Sequence, residues 1–300
     1  MRFRHPKAGA AWPPWRLPNL YGGHIPASGE IFQIQPNKAG LERPSQPYPY
    51  IMNKTKQQLV WSDEFEGTRL DYTKWECEVN AFGGGNQELQ MYTDRPCNVR
   101  VEDSKLILEA HREVINIAGA LRDFSSGRIR TKHRGDWTYG RFEIRAKIPE
   151  GRGLWPAIWL LPTDDHYGTW AASGEIDVME NKGHQPRTVS GALHFGGAWP
   201  GNKCVDHVTR RMPWQPKFSD GFVSYTLDWQ RDRIRWLIDD QVVRERVPEE
   251  WRTNEGGNAP FDRRFHLLLN LAVGGTFGGP PDAQTPFPAA MEIDWVRVWQ

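Results

Sequence analysis

The sequence predicts an all-β protein built as a sandwich of two sheets. From about residue 56 onward, short segments alternate between apolar and polar residues, and Gly, Asp or Asn separates one segment from the next. No long amphipathic helix and no repeat of fixed period accompanies this pattern. Because several of the strands are apolar on both faces, a sandwich is favoured over a barrel.

Individual strands are predicted from their alternation and from the turn residues between them. The clearest is "RFEIRAKI", in which one face is apolar and the other charged; the apolar face comprises Phe142, Ile144, Ala146 and Ile148. "RIRWLIDDQVVRERV" is typical of two strands joined by a turn at Asp239–Asp240. Further strands are expected in "KLILEAHR", "FHLLLNLAV" and "MEIDWVRVW".

The first 55 residues differ in composition from the rest of the chain. Nine of the 23 prolines lie within residues 1–50, in segments such as "WPPWRLP" and "PSQPYPY". This stretch has neither a helical nor a strand period, which is typical of an extended arm or linker. The sequence therefore predicts a Pro-rich N-terminal arm over residues 1–55 and one folded domain over residues 56–300.

Bulk composition narrows the classes of partner. The chain has 300 residues, 38% of them apolar, and a formal net charge of +1, so no nucleic-acid or membrane partner is expected. The longest apolar run, Leu154–Pro162, is too short to span a bilayer. The N-terminus carries positive charge without the continuous apolar segment of a signal peptide, so no export signal is visible.

Tryptophan and cysteine content add two further indications. Fifteen tryptophans are more than a core of this size needs, which indicates indoles that line a site for flat, polyhydroxylated ligands. Aromatic packing inside the sandwich is the alternative. The three cysteines, Cys77, Cys97 and Cys204, are scattered and predict neither a disulfide framework nor a zinc site. A bridge between the first two is conceivable in an oxidising compartment.

The segment "GEIDVMEN" carries three carboxylates at a spacing that no regular structure accommodates. On a strand, Glu175 and Asp177 share one face, but Glu180 falls on the other. On a helix, the first two carboxylates point about 200° apart. One extra residue near Val178–Met179 would form a β-bulge and return Glu180 to the face of the other two. The spacing therefore predicts a bulged strand with three carboxylates in a row.

Such a row has the groups that a retaining glycosidase needs. The two glutamate backbones would lie roughly 13 Å apart along the strand, and long side chains leaning together would close the gap to about 5–5.5 Å. At that distance one carboxylate attacks the sugar and the other protonates the leaving oxygen. Asp177 between them keeps their protonation states unequal, because three adjacent carboxylates cannot all ionise cheaply. A solvent-facing acidic strand edge without a chemical role is the alternative.

The same segment resembles the signature of glycoside hydrolase family 16 in its bulged form, E-x-D-x-x-E. Other motifs follow in the order that the endo-β-1,3-glucanases (laminarinases) of this family show, from "LVWSDEFEG" through "GGGNQELQMYT" and "GALHFG" to "MEIDWVRVW". The resemblance implies a β-jelly-roll of two curved antiparallel sheets, with the sugar in a cleft on the concave face. One departure is Phe277 in "GGTFGG", where the family usually has Trp.

The resemblance also implies roles for polar residues of the site. Glu175 is the expected nucleophile, Glu180 the general acid/base, and Asp177 the helper of the nucleophile. Asn86 and Arg128 occupy positions where the family places groups that hydrogen-bond glucose on the non-reducing side of the cleaved bond.

Aromatic residues would form the sugar-stacking floor. Trp155 and Trp159 match floor positions, where the C–H face of a pyranose meets an indole. Trp137 in "GDWTYG" is a weaker candidate that fits the core equally well. His194 in "ALHFG" is expected near the acid/base and the reducing-side subsites, with a purely structural role as the alternative.

No cofactor is expected for the chemistry, but the family resemblance implies a structural Ca²⁺ site. Asp294 is the expected ligand, with Glu64 nearby and backbone carbonyls completing an oxygen site; an ordinary surface carboxylate is the alternative. The implied partner is a β-glucan polysaccharide, the implied state a monomer, and the implied location extracellular.

Two other functions remain open from the sequence. Some relatives are β-glucan recognition proteins that keep the sandwich but lack the catalytic glutamates, whereas this chain has both. Other relatives with the bulged motif cleave agarose or carrageenan, and a sulfated substrate would favour a cleft richer in Arg and Lys. The expected activity is endo-hydrolysis of β-1,3-glucan, with mixed-linkage β-1,3/1,4-glucan as a further substrate.

Overall fold

The computed structural model describes residues 57–300, and the Pro-rich arm predicted for residues 1–55 lies outside them. The described residues form two packed β-sheets. Their strands, in chain order, are β1 (Leu59–Asp63), β2 (Glu76–Cys77), β3 (Gln90–Tyr92), β4 (Val99–Glu102), β5 (Lys105–Ile117), β6 (Ala120–Ser126), β7 (Arg128–Arg130), β8 (Asp136–Trp137), β9 (Gly140–Lys147), β10 (Leu154–Pro162), β11 (Glu175–Glu180), β12 (Thr188–Phe195), β13 (Lys203–Arg210), β14 (Val223–Trp229), β15 (Ile234–Ile238), β16 (Gln241–Arg246), β17 (Phe265–Val273) and β18 (Ala289–Trp299).

The strands divide into a larger and a smaller sheet. The larger has ten strands in the order β16-β15-β14-β9-β18-β5-β6-β3, with β1 paired to β18 and β4 to β5. The smaller has eight strands in the order β13-β12-β11-β10-β17-β7-β2, with β8 paired to β17. Neighbouring strands run antiparallel except β3 and β6, which are parallel. The predicted all-β sandwich is confirmed.

Apolar side chains of both sheets fill the space between them. In β9, Phe142, Ile144 and Ala146 are fully buried, as the alternation in "RFEIRAKI" predicts, while the charged residues between them stay partly exposed. In the smaller sheet, β17 is buried at every position because it lies between β10 and β7 in the middle of the sheet. This buried central strand supports the floor of the cleft described below.

Turns and short helices join the strands. Asp239 and Asp240 have φ of 47° and 63° and connect β15 to β16, which is typical of a two-residue type I′ turn. Helical structure within residues 57–300 is limited to α1 (Gly275–Gly278) and two short 3₁₀ turns, Gly83–Gly85 and Pro248–Glu250. None of the helices in this part of the chain has the length and apolar character needed to cross a membrane.

All three cysteines are free thiols, so the bridge considered for Cys77 and Cys97 is not formed. Cys97 and Cys204 are exposed, and Cys77 is partly buried.

Candidate active site

The predicted bulge lies in β11 (Glu175–Glu180), the strand that carries the three carboxylates. Between Asp177 and Glu180 this strand takes three steps where its neighbour β12 takes two, so β11 holds one extra residue. Val178 and Met179 are consecutive and both buried in the core, with 6% and 0% of their surface exposed. All three carboxylates consequently line the same cleft. The predicted bulge is confirmed.

The cleft has a volume of about 780 Å³ and lies across β12, β11, β10, β17 and β7 of the smaller sheet. Besides the three carboxylates it is lined by five of the residues predicted to bind substrate, namely Asn86, Arg128, Trp155, Trp159 and His194. A second depression of about 490 Å³ reaches β2 and shares Phe82, Arg128, Leu161 and Trp170 with the cleft. Together they form a trough that extends from β12 to β2.

Glu175 contacts two groups that favour its ionised form. Its Oε2 accepts a hydrogen bond of 2.7 Å from Nε1 of Trp170, and its Oε1 lies 3.8 Å from Nε2 of His194. Burial and the charge of Asp177 raise the pKa of Glu175 above its ordinary value, and His194 and Trp170 partly offset that rise.

Glu180 has fewer such contacts. Its Oε1 accepts a hydrogen bond of 2.9 Å from Nε1 of Trp155. Burial, followed by the charges of Asp177 and Glu175, raises the pKa of Glu180 well above the ordinary value for a glutamate. Glu180 therefore retains its proton where Glu175, with one more stabilising partner, can lose it.

His194 is held between the first two carboxylates. It pairs with Glu175 in the β11–β12 ladder, and its Nε2 lies 3.2 Å from Oδ2 of Asp177. Burial alone would lower the pKa of His194, but hydrogen bonds to Asp177 and Cys204 and the charges of Asp177 and Glu175 outweigh it and raise this pKa to about 12. The strand register places His194 beside Glu175, and its charge also opposes the rise in the pKa of Glu180, so its expected role near the acid/base stays a prediction.

The aromatic floor is held in place by hydrogen bonds. Nε1 of Trp159 donates to Oδ1 of Asn270 over 2.7 Å, and Nδ2 of Asn270 donates to the hydroxyl of Tyr92 over 3.2 Å. The guanidinium of Arg128 lies 4.7 Å from the centre of the Trp159 ring and forms an ion pair of 3.2 Å with Glu78. These contacts fix the plane of Trp159 and the position of Arg128 before any ligand arrives.

Asn86 lies at the rim of the cleft, directly after the Gly83–Gly85 turn. Its Nδ2 donates to the carbonyl of Gly84 over 3.3 Å, and its own carbonyl accepts from the amide of Thr276. Gly84 has φ of 57°, a left-handed conformation that favours glycine. The glycine run therefore shapes the rim.

Trp137 does not line the cleft. It is 7% exposed and belongs to the core, where its ring meets those of Trp61 and Phe142 at 5.6 and 5.5 Å. The predicted cleft role for Trp137 is wrong. The alternation of residues between the core face and the cleft face of a strand could not assign Trp137, because it lies in the two-residue strand β8.

The predicted calcium ligands each face an arginine. Both carboxylate oxygens of Glu64 accept hydrogen bonds from Arg297, at 2.9 and 2.8 Å, and Asp294 forms an ion pair with Arg145. These arginines engage both oxygens of Glu64 and Oδ2 of Asp294, so they compete with a cation at the expected site. The structural Ca²⁺ at Asp294 and Glu64 stays a prediction.

Several cleft residues were not predicted from the sequence. Glu88 lines the cleft, and its Oε2 accepts from Gln90 at 2.7 Å and from Tyr92 at 3.2 Å. The two-residue spacing of these three in "NQELQMYT" was a signal that they share a face. Trp170 gave no such signal, because it lies in the loop before β11. Lys182 also lines the cleft, with its Nζ 4.5 Å from the ring centre of Phe277.

This chain matches a known protein family over most of its length. The sequence profile of the glycosyl hydrolases family 16 matches residues 63–297. The chain belongs to this family. The family resemblance inferred from the motifs is confirmed.

Among curated relatives, the glucan endo-1,3-beta-glucosidase A1 of Niallia circulans is 42% identical over 257 residues, covering 81% of this chain and 38% of the relative. The chain thus spans well under half of that relative's length. The beta-glucanase of Rhodothermus marinus is 42% identical over 258 residues, covering 81% of this chain and 85% of the relative.

A solved structure supports the fold. The endo-beta-1,3-glucanase of Pyrococcus furiosus superposes with a TM-score of 0.75 at 34% identity, covering 81% of this chain and 94% of that one. The two sheets of the present chain are therefore the β-jelly-roll that members of family 16 share.

Proposed function

We propose that this chain is a retaining endo-β-1,3-glucanase. The observation that carries the proposal is the unequal environment of two glutamates on one bulged strand: Glu175 has a cation and an indole donor beside it, and Glu180 has an indole donor alone. Environments that separate the pKa values of two carboxyl groups assign one as nucleophile and the other as acid.

The reaction proceeds in two displacements. The ionised Glu175 attacks the anomeric carbon, the bond to the leaving oxygen breaks, and that oxygen takes the proton of Glu180. Water then attacks the anomeric carbon and gives one of its protons to the Glu180 carboxylate, while the bond between the anomeric carbon and Glu175 breaks and frees the Glu175 carboxylate. Two inversions leave the configuration retained. Asp177 and His194 form no bond with the sugar in either step. Their role is to orient Glu175.

A neutral glucan fits the cleft better than a sulfated glycan. The cationic groups lining the main cleft are Arg128, Lys182 and His194. Arg128 is paired with Glu78, and His194 with Asp177 and Glu175, so little positive charge is left for a sulfate. The curated relatives described above are named for glucan hydrolysis, which supports the same substrate class.

We also propose that the protein acts outside the cell and as a monomer. An intact polysaccharide is too large to cross a cell membrane unaided, and a single chain already brings Glu175, Asp177 and Glu180 together in one cleft. A pure glucan-binding role is the alternative function, and the presence of both glutamates in the arrangement of a working pair speaks against it.

The test is a product profile on laminarin, lichenan, agarose and carrageenan, with NMR of the first reducing ends formed from laminarin. Short and medium oligosaccharides should appear early from laminarin, and the new ends should be β-anomers before mutarotation. Initial α-anomers would refute the double displacement, and cleavage of agarose or carrageenan in preference to laminarin would refute the substrate assignment. Binding of laminarin without any release of reducing sugar would favour the binding role.

A further inference from the structure

The depression beside the cleft contains a histidine that the mechanism does not use. His266 lines this depression, although only 2% of its surface is exposed. It lies on β17, where it pairs with Leu161 of β10 and Asp136 of β8. Asn270, which holds Trp159 in the cleft floor, follows four residues later on the same strand. Both side chains therefore lie on the concave face of β17, about 13 Å apart along the strand.

The ring nitrogens of His266 have no partner in the part of the chain that the structure describes. Nδ1 is buried and makes no hydrogen bond, and Nε2 forms no hydrogen bond or ion pair with any other described residue. Most buried polar groups in folded proteins are hydrogen-bonded, because a buried donor or acceptor without a partner destabilises the fold. A buried ring of this kind at the edge of a depression points to a partner that arrives from the depression.

The ring of His266 is neutral at any pH at which the protein would work. Burial lowers its pKa to about 3, and the positive charges of Lys132, Arg130 and Arg128 act in the same direction. A neutral imidazole has one N–H donor and one acceptor nitrogen. A sugar hydroxyl both donates and accepts hydrogen bonds, so it can pair with either nitrogen.

The lining of the depression suits a sugar. Its volume is about 490 Å³, and its apolar surface comes from side chains that include Val79, Phe82, Leu161 and Pro162. Phe82 is 68% exposed, so much of its ring is open to the C–H face of a pyranose. Apolar surface with a few polar groups among it is typical of small-molecule sites.

The arginines of the depression are engaged by carboxylates. Arg128 forms an ion pair of 3.2 Å with Glu78, and Arg130 forms ion pairs of 3.1 and 3.2 Å with Glu76 and Glu78. Both guanidinium groups therefore present little free charge to an anionic ligand. A neutral sugar that hydrogen-bonds His266 fits this balance of charge.

We propose that His266 is a specificity-determining residue that hydrogen-bonds a distal sugar unit on the non-reducing side of the cleaved bond. Arg128, which is expected on that side, lines both the cleft and the depression, so a glucan that passes Arg128 continues towards His266. The inference rests on the proposed glucanase function. Its consequence is a preference for longer chains, because only a chain that reaches the depression gains this hydrogen bond.

The kinetic test uses two substrates with the same leaving group, an aryl β-laminaribioside and an aryl β-laminaritetraoside, which differ only in length on the non-reducing side. In His266→Leu, kcat/KM for aryl release from the tetraoside should fall at least about threefold more than from the bioside. His266→Gln keeps a donor and an acceptor and should recover part of the difference. Equal losses on the two substrates, or no loss on either, overturn the proposal.

A matched variant and a melting experiment separate binding from support of the fold. His207 is a second histidine of the smaller sheet, packed on Trp236 and outside both the cleft and the depression. His207→Leu should therefore leave the ratio of the two substrates unchanged. His266→Leu removes a buried polar group without a partner, so it should melt no lower than the wild type in calorimetry. Lower melting temperatures in both His266 variants, with no change in the ratio, would show that the ring serves only the fold.

A binding experiment distinguishes failure of this inference from failure of the proposed function. In the Glu175→Gln background, the addition of His266→Leu should weaken the binding of laminarihexaose at least about threefold in calorimetry. Unchanged binding, in a protein whose wild type cleaves laminarin, overturns the role of His266 alone. Absence of both laminarin cleavage and laminarihexaose binding in the wild-type site overturns the proposed function, and this inference with it.

Discussion

At the level of single residues, the two glutamates differ in what they contact more than in where they lie. Both are partly buried, and loss of contact with water is the largest influence on the pKa of each. Glu175 is also approached by the imidazolium of His194 and by the indole of Trp170, at 3.8 and 2.7 Å. These contacts make it the group that ionises first, and the assignment of roles follows from them without reference to any relative.

Glu175→Gln should abolish turnover and preserve the fold. The amide keeps the acceptor oxygen for Trp170 but has no charge with which to attack the anomeric carbon. We expect kcat/KM on laminarin to fall by at least about a thousandfold, a loss near 4 kcal/mol in the barrier, with oligosaccharide binding retained in calorimetry. Glu88→Gln, a second carboxylate of the same cleft, is the matched control and should lose far less. Residual activity above a thousandth would show that another residue is the nucleophile.

His194→Gln should move the acid limb of the pH–rate profile. The positive charge of His194 lowers the pKa of Glu175, so its removal raises that pKa, and activity should be lost at a higher pH on the acid side. We expect an upward shift of roughly one pH unit, measured as kcat/KM on laminarin between acid and alkaline pH. The basic limb, which reports mainly Glu180, should move much less. A shift confined to the basic limb would make His194 the proton donor.

The catalytic triplet was predictable from the sequence, and its surroundings were predictable only in part. The spacing of Glu175, Asp177 and Glu180 violates strand parity unless a bulge is present, so the spacing itself identified both the strand and the cleft face. Trp170 approaches from a loop, and its contact with Glu175 depends on tertiary packing that no local period encodes. Trp137 was misplaced because a two-residue strand offers no alternation to interpret.

At the level of elements, the bulge in β11 makes the site possible. It places two consecutive residues, Val178 and Met179, in the core and keeps three carboxylates on the cleft face. Regular strands such as β9 and β17 were predicted because their apolar patterns match the burial they have in the sheet. The edge strand β13 has mixed composition and exposed or half-buried residues throughout, so its sequence carried little information.

The bulge predicts opposite effects for a deletion and an insertion. Deletion of Val178 gives E-x-D-x-E, in which all three carboxylates still share one face, so part of the activity should survive. Insertion of one alanine between Met179 and Glu180 gives E-x-D-x-x-x-E: with the bulge kept, Glu180 turns to the core face, and with the bulge lost, it stays on the cleft face but about 6.6 Å further along the strand. In either case kcat/KM should fall at least about a thousandfold. The deletion also removes a buried valine and should cost about 2 kcal/mol of stability. Circular dichroism confirms that both variants fold before their rates are compared.

The reverse ranking, with the insertion more active than the deletion, would show that strand parity does not determine the position of Glu180.

At the level of the whole molecule, the site lowers the stability of the fold that carries it. The core is continuous between the two sheets, and the cleft carboxylates lie directly above it on β11. A carboxyl group whose pKa is raised by folding binds its proton more tightly in the folded state than in the unfolded chain. Stability therefore decreases as pH rises through the unfolded value of about 4.5 and continues to decrease up to the folded pKa.

Glu180→Gln should accordingly raise the melting temperature, and the gain should grow with pH. Near pH 4 both side chains are neutral and the two proteins should melt together; at pH 7 the unfolded wild-type chain gains from ionising Glu180 and the variant does not. We expect a gain of at least about 2 °C at pH 7, since roughly 2–4 °C corresponds to 1 kcal/mol in a domain of this size. The amide keeps an acceptor for Trp155, so no hydrogen bond is lost there.

Glu113 provides a control of opposite sign, because its hydrogen bond with Arg95 lowers its pKa, and Glu113→Gln should lower the melting temperature at pH 7. Calorimetry at several pH values measures all three proteins, and a gain for Glu180→Gln that is independent of pH would mean that relief of buried charge is not its cause.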